Sequence, residues 1–144
     1  MRSSIFRRLA VVSAIALMAL GTTACDSGDG TTPTTPTIPT PNVTETFAGS
    51  ININGAATFT FPTTAGGTVN ATLRALTPVS TIQVSLAIGT WNGVNCQLVL
   101  NNDRATQGGS ITGNVSGAGT LCVRISDIGQ ITQQTGFEIV VVHP

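Results

Sequence analysis

Few residues in this 144-residue chain are able to do chemistry: three cysteines, one histidine, six carboxylates, six arginines and one tryptophan, with no lysine or tyrosine. Nucleophilic catalysis needs a Ser, Thr or Cys activated by a base that a third group orients. The single histidine, His143, stands one residue from the end, where a satisfied or solvated side chain is expected, and no G-x-S-x-G elbow occurs. Glycoside cleavage needs two facing carboxylic acids. Only Glu45, Asp103, Asp127 and Glu138 are available for that, and Glu45 and Glu138 read as outward strand positions. No residue is therefore assigned a catalytic role, and the chain does not read as an enzyme. Calcium takes carboxylate, amide and carbonyl oxygens. Asn101, Asp103 and Asp127 are the weak candidates for it, in loops without EF-hand spacing, where Asn and Asp are also ordinary turn formers. No other cofactor is indicated.

Trp91 precedes Asn92-Gly93 in a turn between two apolar runs. A tryptophan there either presents a flat face to a sugar ring or protein partner or folds back as a lid on the domain. Trp91 and Asn92 are the candidate ligand-binding pair.

Charge narrows the partners. Arg2, Arg7 and Arg8 lie in the first eight residues; from Cys25 onward three arginines face six carboxylates, a net charge of −3. Phosphate binding needs clustered Lys or Arg, so nucleic acid is not an expected partner.

Residues 1–24 have the layout of a secretory signal peptide: a cationic start, an apolar run from Leu9 to Leu20, then small residues. A twelve-residue run is too short for a bilayer that takes roughly 20. Export implies an oxidising compartment, where cysteines pair. Three cysteines leave one over. The stretch Leu20-Gly21-Thr22-Thr23-Ala24-Cys25 resembles a bacterial lipobox, with Thr22 where Leu is usual, and lipidation of Cys25 would leave Cys96 and Cys122 to form a disulfide. An ordinary signal peptidase cutting after Ala24 would instead give a secreted chain. A Cys96–Cys122 bridge closes a loop of about 27 residues, worth about 3.5 kcal/mol in the chain-entropy account. No CxxC spacing supports a metal site. Residues 25–42 then read as a lipidated Cys followed by an extended Thr/Pro linker, with prolines at 33, 36, 39 and 41 excluding helix and central strand.

The elements that must position these residues follow from residue 43. Apolar and polar residues alternate with period two, as in Val69, Ala71 and Leu73 or Val84, Leu86 and Ile88. Strands are expected at 45–53, 57–61, 68–76, 81–89, 95–100, 109–115, 120–126 and 135–142, with turns at Asn54-Gly55, Pro62 to Gly67, Thr77-Pro78, Asn92-Gly93, Asn101 to Gly109 and Ser116 to Gly119. Eight short strands without a helix predict an all-β, eight-stranded antiparallel β-sandwich of Greek-key or jelly-roll type over 43–144. Ile139-Val140-Val141-Val142 is apolar on both faces and belongs in a central or covered strand. If Leu121, Val123 and Ile125 face the core, Cys122 points away, so the disulfide lies outside the core or its strand is buried on both sides. A faint echo links 49–59 with 109–121.

Glu45-Thr46-Phe47-x-Gly49, Ala57-Thr58-Phe59-Thr60-Phe61, and Gly119-Thr120-x-Cys122-Val123-Arg124-Ile125-x-Asp127 followed by Phe137-Glu138-Ile139-Val140-Val141 together resemble bacterial pre-peptidase C-terminal (PPC-like) domains. The resemblance covers about residues 44–142. It implies a non-catalytic β-sandwich of the kind appended to secreted hydrolases, some of which bind calcium or polymeric substrates.

The expected role is that of a membrane-anchored binding or interaction module at the cell envelope, with the membrane as one partner through the lipid and an envelope polysaccharide or protein as the other. The alternative is a structural subunit of an envelope assembly, and a third reading is a small secreted hydrolase.

Overall fold

The computed structural model describes residues 41–144. The signal-peptide and Cys25 readings, and all but the last two residues of the 25–42 linker, fall outside the described residues. Eight strands follow: β1 (Val43–Ile51), β2 (Ala56–Thr63), β3 (Gly67–Thr77), β4 (Val84–Trp91), β5 (Cys96–Ala105), β6 (Ser110–Val115), β7 (Gly119–Asp127) and β8 (Thr135–His143). They form two four-stranded antiparallel sheets, in the orders β1-β8-β3-β6 and β2-β7-β4-β5.

These orders decide between the two topologies. Each strand of the first half pairs with its mirror in the second: β1 with β8, β2 with β7, β3 with β6 and β4 with β5. The chain is a long hairpin rolled until β8 also meets β3 and β7 also meets β4. That is a jelly roll. The echoing segments 49–59 and 109–121 are both crossings from the first sheet to the second, β1 to β2 and β6 to β7.

The alternation read from the sequence is the core. Phe61, Leu73, Leu86, Ile125, Ile139 and Val141 are almost fully buried between the sheets. β8, which carries the Ile139–Val142 run, lies between β1 and β3. Several strand ends differ from expectation: β1 lies two residues earlier than 45–53, β2 ends at Thr63 and not at 61, and β4 begins at Val84 and not at 81. β4 continues through Trp91, and β5 continues to Ala105, so Asn101, Asn102 and Asp103 belong to a strand and not to a turn. Backbone pairing with β4 overrode their turn preference: Asn101 and Asn102 stand opposite Ala87 and Leu86.

Antiparallel registers fix which loops share an end. The start of β1, the 64–66 and 92–95 turns, the 116–118 turn and Pro144 lie at one end; the 52–55, 78–83, 106–109 and 128–134 segments lie at the other. β1 therefore begins at the end that carries the β4–β5 turn.

Candidate functional site

The chemistry-bearing residues separate into those used by the fold and those shown to solvent. His143 is buried at the end of β8. Its Nε2 lies 3.1 Å from Glu45 Oε1 and its Nδ1 3.2 Å from the Pro144 main-chain oxygen, and its ring stands 5.0 Å from that of Phe61 on the facing sheet. Both ring nitrogens are engaged, so the imidazole ties β8 to β1 and to the core. Glu45 does not point outward as its charge suggested. It shares the inward rank of β1 with Phe47 and Ile51, because period two binds it to their side of the strand whatever its charge. Glu138 does face outward and pairs with Arg74 at 3.3 Å, an exposed contact worth at most about 1 kcal/mol.

The calcium candidates are engaged by the protein itself. Asp127, at the end of β7, accepts from the Asn54 amide on Oδ2 (2.8 Å) and from those of Gly129, Gln130 and Ile131 on Oδ1 (2.8, 2.9 and 3.1 Å). Burial pushes this carboxyl up, but the Asn54, Ile131, Gln130 and Gly129 amides outweigh it and hold the group below the usual carboxylate range. The clasp joins the β1–β2 turn to the β7–β8 loop. Asp103 is also held low, by the Ser85 hydroxyl (2.7 Å) and then the Asn101 amide (2.8 Å). No three His, Cys, Asp or Glu side chains converge among the described residues.

Cys96 and Cys122 are bonded. The sheet order places β4 between their strands, so the bridge crosses β4, where Gly89 is the backbone partner of Cys122. The Cα atoms are 5.8 Å apart, short of the two strand spacings, about 9.5 Å, that separate alternate strands in a flat sheet. β5 therefore begins by leaning over β4. A Cβ at Gly89 would collide with the Gln97 carbonyl, so that close approach requires glycine. The two alternatives for Cys122 prove to be one arrangement: it lies on the outer face of its sheet, opposite in direction to Leu121 and Val123, and it is fully buried there.

Trp91 ends β4 beside Cys96 on that same outer face and is half-buried. Asn92 is exposed, and its Oδ1 accepts from the amides of Val94 (2.9 Å) and Asn95 (2.7 Å), which shapes the turn. Neither residue lines the two neighbouring concavities described next.

The concave site lies elsewhere, where the sheets part between β5 and β6. A mostly apolar cleft of about 100 Å³ is lined by Val69, Ile88, Val99, Leu100, Val115 and Leu121, and it adjoins a shallower depression of about 300 Å³ beneath the 116–118 turn. Thr90 lines both. Leu100 reaches over the cleft because Gly113 leaves it room: a Cβ there would sit 2.6 Å from Leu100 Cδ1. The cleft is smaller than the roughly 300–1,000 Å³ of small-molecule pockets, so it suits one inserted side chain. Sequence reasoning missed it. The signal was Leu98-Val99-Leu100, three apolar residues in succession on a strand that runs on into Asn101-Asn102-Asp103. No protein-family model matches this chain, and no curated protein is found to be similar to it.

Proposed function

We propose that this chain is an exported, non-catalytic jelly-roll module, lipidated at Cys25 and joined through its Thr/Pro linker, that works by binding at the cell envelope. One observation supports the binding role above the others. His143, Asp103, Asp127 and both domain cysteines have their polar atoms engaged within the fold, whereas the β4–β5 hairpin and the adjoining cleft offer apolar surface to solvent. The sequence likeness to PPC-like accessory domains agrees with such a role, and the lipobox-like stretch before Cys25 supports the anchor.

Two measurements test the two halves separately. Mass spectrometry of the mature amino-terminal peptide is expected to show acyl groups on Cys25; an unmodified Cys25 removes the anchor and leaves a secreted module. For binding, Thr90→Trp fills the cleft from an exposed position. In a Cys25→Ser background, where no lipid holds the chain, it is expected to lower retention on isolated envelope material at least tenfold, about 1.4 kcal/mol, with the melting temperature little changed. Unchanged retention would exclude the cleft.

A further inference from the structure

β6 ends the first sheet, and β3 is its one ladder partner among the described residues. That ladder runs without a register shift from Gly67 opposite Val115 to Thr72 opposite Ser110, whereas the pairing of β5 with β4 is broken between Ile88 and Gly89. Successive residues of an antiparallel pair alternate between bonding the partner strand and facing away from it. Just before β6, the Leu73 amide donates to the Gly109 carbonyl (2.8 Å) and the Leu73 carbonyl accepts from Gly108 (2.7 Å). Alternation from Leu73 makes Ala71, Val69 and Gly67 the residues that bond Ile111, Gly113 and Val115. The amides and carbonyls of Thr112 and Asn114 therefore point out of the sheet. Their side chains are drawn onto its outer face, where Thr112 Oγ1 accepts from Asn70 at 2.7 Å and Asn114 Oδ1 from Thr68 at 3.1 Å.

Both concavities lie along this open edge. Gly113 lines the apolar cleft, and Val115, the next inward position, borders the depression under the 116–118 turn. Resting on the binding role of the cleft, we propose that its occupant is an extended, uncharged segment of an envelope protein that adds to β6 as a further strand of the first sheet. Main-chain bonds to Thr112 and Asn114 hold the segment, and alternate side chains, about 6.8 Å apart, enter the cleft and then the depression. No charged residue lines either concavity, and none occurs from Ala105 to Val123. A charged side chain brought here loses water without gaining a partner, so the neutral surface complements a neutral segment. No aromatic ring lines either concavity, so a sugar finds no flat face on which to stack. The chain's own linker is a poor occupant: Ile38 is the one large aliphatic residue between Cys25 and Val43, and Pro39 beside it has no N–H to donate.

The test is retention of the full chain, in the Cys25→Ser background, on isolated envelope material. Asn114→Pro removes one outward amide and spares the bonds between β6 and β3. It is expected to lower retention about tenfold, whereas Asn114→Ala, which keeps the amide, is expected to change it less than about twofold. Should Asn114→Pro lose its native near-ultraviolet signal, Thr112→Pro and Thr112→Ala carry the same comparison at the other outward amide. Digesting the material with a protease is expected to abolish retention, and digesting it with glycan hydrolases to leave it. Release by Thr90→Trp but not by the proline variants overturns strand addition and leaves the binding role standing. Retention that survives the protease and is lost to the glycan hydrolases also overturns it, with a glycan as the occupant. A parent chain that washes off, or a Thr90→Trp chain that stays bound, removes the binding role of the cleft and this partner together.

Discussion

The two open sides of the sandwich are filled by different means. At the β1–β2 side, Phe47, Phe59, Phe61 and Phe137 form one aromatic cluster, with Phe47 and Phe59 stacked at 5.1 Å and Phe59 edge-on to Phe137 at 6.0 Å. His143 continues the cluster and Glu45 caps it. At the β5–β6 side no aromatic ring enters, and aliphatic side chains leave a cleft. Each side uses a glycine to admit a large side chain, Gly49 beneath Phe137 and Gly113 beneath Leu100. The same period-two code thus builds a sealed edge where large rigid rings pack and an unsealed one where they are lacking. The sealed edge holds the fold together, and the unsealed edge is free for contact.

Substitutions should divide along that line. The largest effect is expected from Phe61→Ala, which removes a fully buried ring and the surface on which His143 lies; thermal unfolding should show a loss of about 3–5 kcal/mol. Replacing both Cys96 and Cys122 by Ala should cost about 2–4 kcal/mol through the loop they close, and free thiols in the unaltered chain would contradict the bridge. The two glycines sharpen the contrast. A Cβ at Gly49 would meet Phe137 Cζ at 3.2 Å, and one at Gly113 would meet Leu100 Cδ1 at only 2.6 Å. Clearance alone predicts the larger penalty at Gly113. The packing predicts the reverse: Phe137 is buried among rings and cannot yield, so Gly49→Ala should cost about 1–3 kcal/mol, whereas the partly exposed Leu100 swings outward and Gly113→Ala should cost less than about 1 kcal/mol. Equal losses would mean that both edges are packed alike.

The smallest effect concerns acid. Asp127 has its native carboxyl held below the usual range, so its clasp stabilises the fold fully above that range and the contribution is lost as pH falls through the native value. Melting temperature followed downward from about pH 5 should fall less steeply in Asp127→Asn than in the unaltered chain. Parallel curves would mean that the clasp adds nothing.

Much of the fold was legible because its signals are local. Val69-x-Ala71-x-Leu73 declares its buried face by type and spacing, and Asn54-Gly55 marks a turn that the structure keeps, with Asn54 at a φ of 57°. Three features were not legible, each for a physical reason. The charge of Glu45 suggested solvent, but the imidazole that its carboxylate meets on the inward side stands 98 positions away. Asn101-Asn102-Asp103 had turn chemistry, but a long-range partner strand decided their conformation. The cleft exists only because β5 and β6, adjacent in sequence, belong to different sheets. The cysteines were the reverse case, since parity named the bonded pair and the structure supplied the path across Gly89.

Retention of the chain on isolated envelope material, measured in a Cys25→Ser background, tests the proposed binding role most directly, because it removes any lipid and leaves the jelly roll to act alone. The account predicts that this chain remains partly bound and that adding Thr90→Trp releases it. A Cys25→Ser chain that washes off completely, with or without the filled cleft, would contradict the account and leave the domain no binding role.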